Sequence, residues 1–186
     1  MFYNFINRIS LTLAILVLMI LSSSCQKNEI PQSSLEMRDS LIYKKGSDKP
    51  FTGREKARVQ DKIIEYDVVD GIKNGEFKLF YEDGTQQING HIDHNKNTGK
   101  WQYFYPGGEI ESEGFFVDDK PEGRWVWYYQ SGKIKEEGSF TKGKRVGWWK
   151  DYDEQGKVTK EKEFSLNDST ETDNNLIEKL NPKALK

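Results

Sequence analysis

The chain has 186 residues, of which 31% are charged and 35% hydrophobic, and its formal net charge is −2. That near-neutral mixture lacks the basic face a nucleic-acid binder needs to neutralise phosphates. Its single cysteine, Cys25, excludes an internal disulfide.

The first element is an export signal. Arg8 is the only charge ahead of an apolar run from Leu11 to Leu21, broken only by Thr12. Those 11 residues fall short of the roughly 18 a spanning helix requires. A charged start, an apolar stretch and then small residues read as a cleavable leader, residues 1–24. Ser22-Ser23-Ser24 precede Cys25 directly, and this arrangement resembles a bacterial lipoprotein signal. The resemblance implies that Cys25 becomes the acylated first residue of the mature chain. Gln26 provides no inner-membrane retention signal, so the outer membrane is the expected location in a two-membrane cell. Residues 25–49 are mostly polar and read as a tether.

A 24-residue repeat then occupies residues 50–164. Gly75, Gly99, Gly123 and Gly147 form one column, Gly84, Gly108, Gly132 and Gly156 a second, and Gly90, Gly114 and Gly138 a third. Aromatic columns run beside them: Phe77, Trp101, Trp125 and Trp149, then Phe80, Phe104, Tyr128 and Tyr152. Ile92, Phe116, Phe140 and Phe164 close each unit. A fixed period of this size signals stacked supersecondary units, none able to fold alone.

Within a unit, aromatic and β-branched residues bounded by Pro and Gly predict two strands and a turn. Trp101, Tyr103 and Tyr105 then share one face, by the alternation of side chains along a strand. A loop over Pro106–Glu109 pairs Tyr105 with Ile110, Tyr103 with Ser112 and Trp101 with Gly114. The same register pairs Tyr129 with Ile134, Trp127 with Glu136, Trp125 with Gly138 and Phe77 with Gly90. It lays each aromatic ring over its cross-strand glycine. The predicted fold is all-β: an elongated antiparallel meander of hairpin repeats, roughly 8–10 strands in a single-layer sheet. The last unit carries Asp151, Asp153 and Lys162 where earlier units have aromatics or glycine, as a capping repeat requires. Phe51-Thr52-Gly53 and Ile63–Val68 resemble a degenerate first unit. Residues 165–186 form a polar tail, with a short helix near 175–180.

No catalytic constellation is present, so the chain reads as a non-enzyme with no cofactor. His91 and His94, the two histidines, lack a third placed ligand, and no metal site is expected. Glu111, Glu113, Glu136 and Glu137 read as a solvated face, and Glu82-Asp83-Gly84 as a turn. Tyr103, Tyr105, Trp127 and Tyr129 form a central aromatic patch. It is either sheet core or a platform for a partner.

The pattern Gly-x-Trp-x-x-aromatic-Tyr-x-x-Gly, followed by an acidic stretch and Gly-x-Phe, resembles the MORN-variant repeats of bacterial proteins. The likeness extends over about residues 50–164 and includes an antitoxin-like branch and exported lipoproteins. It implies a membrane-anchored scaffold at the cell envelope that engages a protein partner. Two alternatives stay open: a wall-glycan or carbohydrate binder, and an antitoxin-like or immunity protein that neutralises a toxin.

Overall fold

A computed structural model describes residues 30–165 of the chain; Cys25, the leader and most of the polar tail lie outside the described residues. Twelve strands follow one another. A small hairpin comes first, β1 (Leu35–Arg38) and β2 (Leu41–Lys44). Ten strands then make one open antiparallel sheet in strict chain order. These are β3 (Gly53–Val59), β4 (Lys62–Val69), β5 (Ile72–Phe80), β6 (Gln86–Asp93), β7 (Lys96–Phe104), β8 (Ile110–Val117), β9 (Lys120–Tyr128), β10 (Ile134–Thr141), β11 (Lys144–Tyr152) and β12 (Val158–Phe164).

The β1–β2 hairpin stands within residues 25–49, the segment expected to be a tether. Asp39 and Ser40 both take positive φ, 49° and 65°, the geometry that lets a two-residue turn match strand twist. Leu35 and Ile42 pack with Val68 in a small apolar cluster edged by Phe51 and Tyr66. Backbone bonds join the hairpin to the sheet: Ile42 N donates to Gly71 O at 2.9 Å and Phe51 N to Ile42 O at 2.8 Å. The average polarity of the segment concealed two well-placed apolar residues, Leu35 and Ile42.

Register follows the expected pairing through most of each hairpin. Trp101 stands opposite Gly114 and Tyr103 opposite Ser112; Trp127 opposes Glu136 and Trp125 opposes Gly138; Phe77 opposes Gly90. At the turn it departs. Ile110 pairs with Phe104 across a bulge, and Ile134 pairs with Tyr128. Tyr105 N instead bonds Glu109 O at 2.9 Å, while Gly108 N, at φ +92°, returns to Tyr105 O. A left-handed glycine there explains the second glycine column.

Turns between units are tighter than the loop segments of the sequence suggest. His94-Asn95 and Asp118-Asp119 are two-residue turns with paired positive φ. They also couple neighbouring units. Asn95 Oδ1 accepts from Lys73 N at 2.8 Å, and Asp119 Oδ1 accepts from Asn97 N at 2.8 Å. One unit further on, Pro121 has no N–H to offer, and the matching turn residue is Gly143, with no side chain to receive one. The two departures fit each other.

Candidate functional site

The inner face of the sheet is an aromatic ladder. Phe77 stacks on Trp101 at 5.5 Å between centroids, and Trp125 on Trp127 at 5.8 Å. Phe116 meets Trp101 and Trp125 edge-on at 5.7 and 5.2 Å, and Phe140 meets Trp149 at 4.9 Å. Trp101 and Trp125 are fully buried. The far end is closed by cations: the Arg145 guanidinium sits 4.0 Å from the Trp149 ring centre, and the Lys162 ammonium 4.6 Å from that of Phe164.

One expectation about this face needs correcting. Gly114 is paired with Trp101, but the ring that covers it belongs to Trp125, one unit later. A Cβ on Gly114 would lie 2.1 Å from Trp125, one on Gly90 2.4 Å from Trp101, and one on Gly138 2.1 Å from Trp149. The cause is a bulge between strands of adjacent units. Glu113 pairs with Val126 and Phe115 with Glu122, so Gly123, Arg124 and Trp125 together face Gly114. Gly123 adopts φ +67°, as Gly99 and Gly147 do at +68° and +64°, and such a left-handed bulge bends the strand and re-aims the side chain beyond it. The displaced indole then donates to a carbonyl beside the glycine: Trp125 Nε1 to Phe115 O at 3.1 Å, Trp149 Nε1 to Ser139 O at 3.2 Å, Trp101 Nε1 to His91 O at 3.2 Å. The first and third glycine columns are thus two halves of one device. Lys162 replaces the third glycine because position 173, where the next tryptophan would fall, is aspartate.

The four aromatics of the expected patch are engaged internally. Tyr103 is 7% exposed, and burial pushes its hydroxyl pKa well up. Trp127 is half-buried between Trp125 and Trp149. Tyr105 and Tyr129 are half-buried, and their hydroxyls tie successive hairpins: Tyr105 donates to Tyr128 O at 2.7 Å and Tyr129 to Tyr152 O at 2.6 Å. Tyr81 does the same to Phe104 O at 3.0 Å. Asp153, the next member of that column, accepts from Gln155 N and Lys157 N of its own turn at 3.0 and 2.9 Å. The packing of the sheet accounts for these side chains; only the exposed portions of Trp127, Tyr105 and Tyr129 remain for a stacking surface.

The outer face is a polar ladder. Lys100 Nζ lies 2.9 Å from Glu113, which also accepts from Gln102 at 3.0 Å and from the Tyr128 hydroxyl at 3.2 Å. Lys100 first, then Gln102 and Tyr128, hold the Glu113 carboxyl below its usual range. In the next unit Tyr152 donates to Glu137 at 2.7 Å and Arg124 chelates it, and both lower its pKa, Tyr152 the more. Asp67 is lowered by Arg54 in the same manner. Glu111 and Lys135 are exposed on this face. Among these polar residues stand Phe115, Val117 and Trp148, at 52%, 54% and 54% exposure. Sequence reasoning passed over all three, although Trp148 was visible as a break in its column. His94 is exposed and contacts Asp93 at 2.6 Å, and among the described residues no three metal-ligating side chains gather.

Comparison with known proteins agrees with the repeat geometry. The family model described as MORN repeat variant matches residues 97–118 and 121–142, which are the β7–β8 and β9–β10 hairpins; the chain carries MORN-variant repeats. No curated protein matches it. Among solved structures, the crystal structure of TarM is 14% identical, with 56% of this chain and 21% of that one covered and a TM-score of 0.33. Accessory secretory protein 1, 2 and 3 of Streptococcus pneumoniae is 14% identical, with 68% and 22% covered and a TM-score of 0.33. The glycosylation-associated Gap123 complex of Streptococcus agalactiae is 14% identical, with 66% and 22% covered and a TM-score of 0.34. The chain thus spans about a fifth of the length of each.

Proposed function

We propose that this MORN-variant repeat chain is a lipid-anchored interaction scaffold of a bacterial cell envelope, attached through Cys25 and presenting the outer face of its sheet to a protein partner. The observation that carries the reading is the division of labour between the faces. The inner face is filled by the chain's own aromatics, whereas the outer face leaves Phe115, Val117 and Trp148 exposed among charged side chains. Exposed apolar residues rimmed by polar ones are characteristic of interaction surfaces. The apolar run ending just before Cys25 supports the anchor, and two or more acyl chains give an attachment that one chain does not.

The test has two parts. Cys25→Ala should release the chain from membranes or leave it unprocessed, and the outer membrane should hold the wild type. A photo-crosslinker at Phe115 or Val117 in the full chain should capture one discrete envelope protein in cells. Unchanged membrane retention and mass in Cys25→Ala would remove the anchor. An absence of crosslinks from the outer face would remove that face as the partner surface.

A further inference from the structure

The exposed apolar residues of the outer face stand in two ridges with a low floor between them. Phe115 of β8 is opposite Glu122, Ser139 of β10 is opposite Arg124 and Val146, and Trp148 of β11 is opposite Glu163. Phe115 and Trp148 are therefore three strands apart, about 14 Å, with the small Ser139 between them. The Arg124 guanidinium is committed to Glu137. Phe115 and Val117 make one ridge, the half-buried Val146 and the exposed Trp148 the other. An open trough of about 140 Å³ lies beside Trp148, with Ser139 in its lining.

Charge does not select the occupant of this floor. Arg124 and Lys150 are matched by Glu137, Glu161 and Glu163, the last two in register with Lys150 and Trp148. The unmet demand is apolar, since Phe115, Val117 and Trp148 are each more than half exposed. The chain carries a segment that meets it. In Leu176-Ile177-Glu178-Lys179-Leu180 the aliphatic residues fall at i, i+1 and i+4, one face of a helical turn, and Pro182 limits its length. That segment lies outside the described residues. Its point of departure does not: Phe164 stands opposite Gly147, the neighbour of Trp148. Residues 166–175 connect Ser165 to Leu176, and all but Leu166 are polar. Those ten residues reach at most about 33 Å, well beyond the four strand spacings, about 19 Å, from β12 to Phe115. So short a tether keeps the segment near the face at an effective concentration on the order of millimolar. Neither a second copy nor a separate partner has that advantage.

We propose that residues 176–180 dock on the outer face of their own sheet, over Ser139 and between Phe115 and Trp148. Leu176, Ile177 and Leu180 supply the apolar contact, and the polar residues 166–175 span the route without being part of it. The segment then covers the surface assigned above to a protein partner. It acts as a built-in competitor that the partner must displace. The docking stands on the described surface and the tail sequence; its regulatory consequence rests on the protein-partner reading.

The test uses the purified full chain, dilute and without any partner. A photo-crosslinker at Phe115 should join that position to residues 176–180 of the same molecule, read by mass spectrometry on a mixture of light and heavy isotope-labelled chains. Leu176→Ser, Ile177→Ser and Leu180→Ser together should abolish this crosslink and leave the melting temperature unchanged. The triple variant should also move the Trp148 indole N–H resonance, while those of the buried Trp101 and Trp125 stay. In cells it should raise capture of the envelope partner at Phe115 by about five-fold or more. A Trp148 resonance unmoved by the triple variant would overturn the proposal. Crosslinks found only between light and heavy chains would overturn it too, and would make this face a contact between copies. Unchanged partner capture despite a moved Trp148 signal would overturn the competitor role. If Phe115 captures no partner in either form, the protein-partner reading is what fails, and the resonance and crosslinks of the isolated chain still decide the docking.

Discussion

Adding one methyl group at Gly114 should destabilise the sheet, and the effect should be routed through Trp125. The ring must retreat from 2.1 Å to beyond 3.4 Å to accept a Cβ. It is fully buried and wedged between Phe116 and Trp127, at centroid distances of 5.2 and 5.8 Å. Overpacking of this kind costs about 1–3 kcal/mol, and loss of the indole bond to Phe115 O adds about 1 kcal/mol. Gly114→Ala should therefore cost about 2–4 kcal/mol, which for a chain of this length lowers the melting temperature by roughly 5–15 °C. The first unit supplies the rescue: Tyr66 stands opposite Phe77, so phenylalanine tolerates a Cβ-bearing neighbour where tryptophan does not. In urea denaturation the Gly114→Ala penalty should shrink by at least about 1 kcal/mol on a Trp125→Phe background and stay constant on a Trp101→Phe background. Coupling to Trp101 with none to Trp125 would refute the assignment of rings to glycines. A Gly114→Ala variant as stable as wild type would refute the close packing itself.

Other outcomes follow from the same geometry. Tyr105→Phe and Tyr129→Phe each remove one hydroxyl tie between hairpins and should cost about 1 kcal/mol apiece in urea melts; no loss in either would make the ties incidental. Gly123→Ala meets no atom within 4 Å but sits at φ +67°, so it should cost only the left-handed penalty of about 1–2 kcal/mol, with Gly123→Asn milder. Glu113, Glu137 and Asp67 have folded-state pKa values below their unfolded ones, so their contribution is present above pH about 4.5 and is lost as pH falls through the folded values. The urea midpoint should drop on acidification below that pH, and Glu113→Gln should flatten the drop. Burial raises Tyr66, to about 12, and raises Tyr103 as well; stability carried by these neutral phenols is complete below pH about 10 and fades as pH climbs further. A shallower alkaline limb in Tyr103→Phe than in wild type checks that assignment; an unchanged slope would refute it.

The repeat, its period and the β class were legible in the chain itself, because glycine and aromatic columns in register report a backbone demand that recurs unit by unit. Alternation along a strand and turn composition were enough to place Trp101 across from Gly114, since both are local properties. The capping character of Asp151, Asp153 and Lys162 was legible for the same reason: each breaks a column. What only the tertiary structure decided lies between units. A left-handed glycine shifts the following tryptophan onto the preceding hairpin, and no local rule says which of two neighbouring glycines receives the ring. The tyrosine hydroxyls reach carbonyls 23 residues onward, a pairing created by the stacking of hairpins and invisible in spacing alone. The β1–β2 hairpin was hidden because two apolar residues in a polar stretch, Leu35 and Ile42, gain meaning only when Val68 is there to receive them. The exposed trough beside Trp148 likewise exists only once three strands are side by side, since its walls come from side chains that the chain itself keeps up to 26 residues apart, from Arg124 to Lys150.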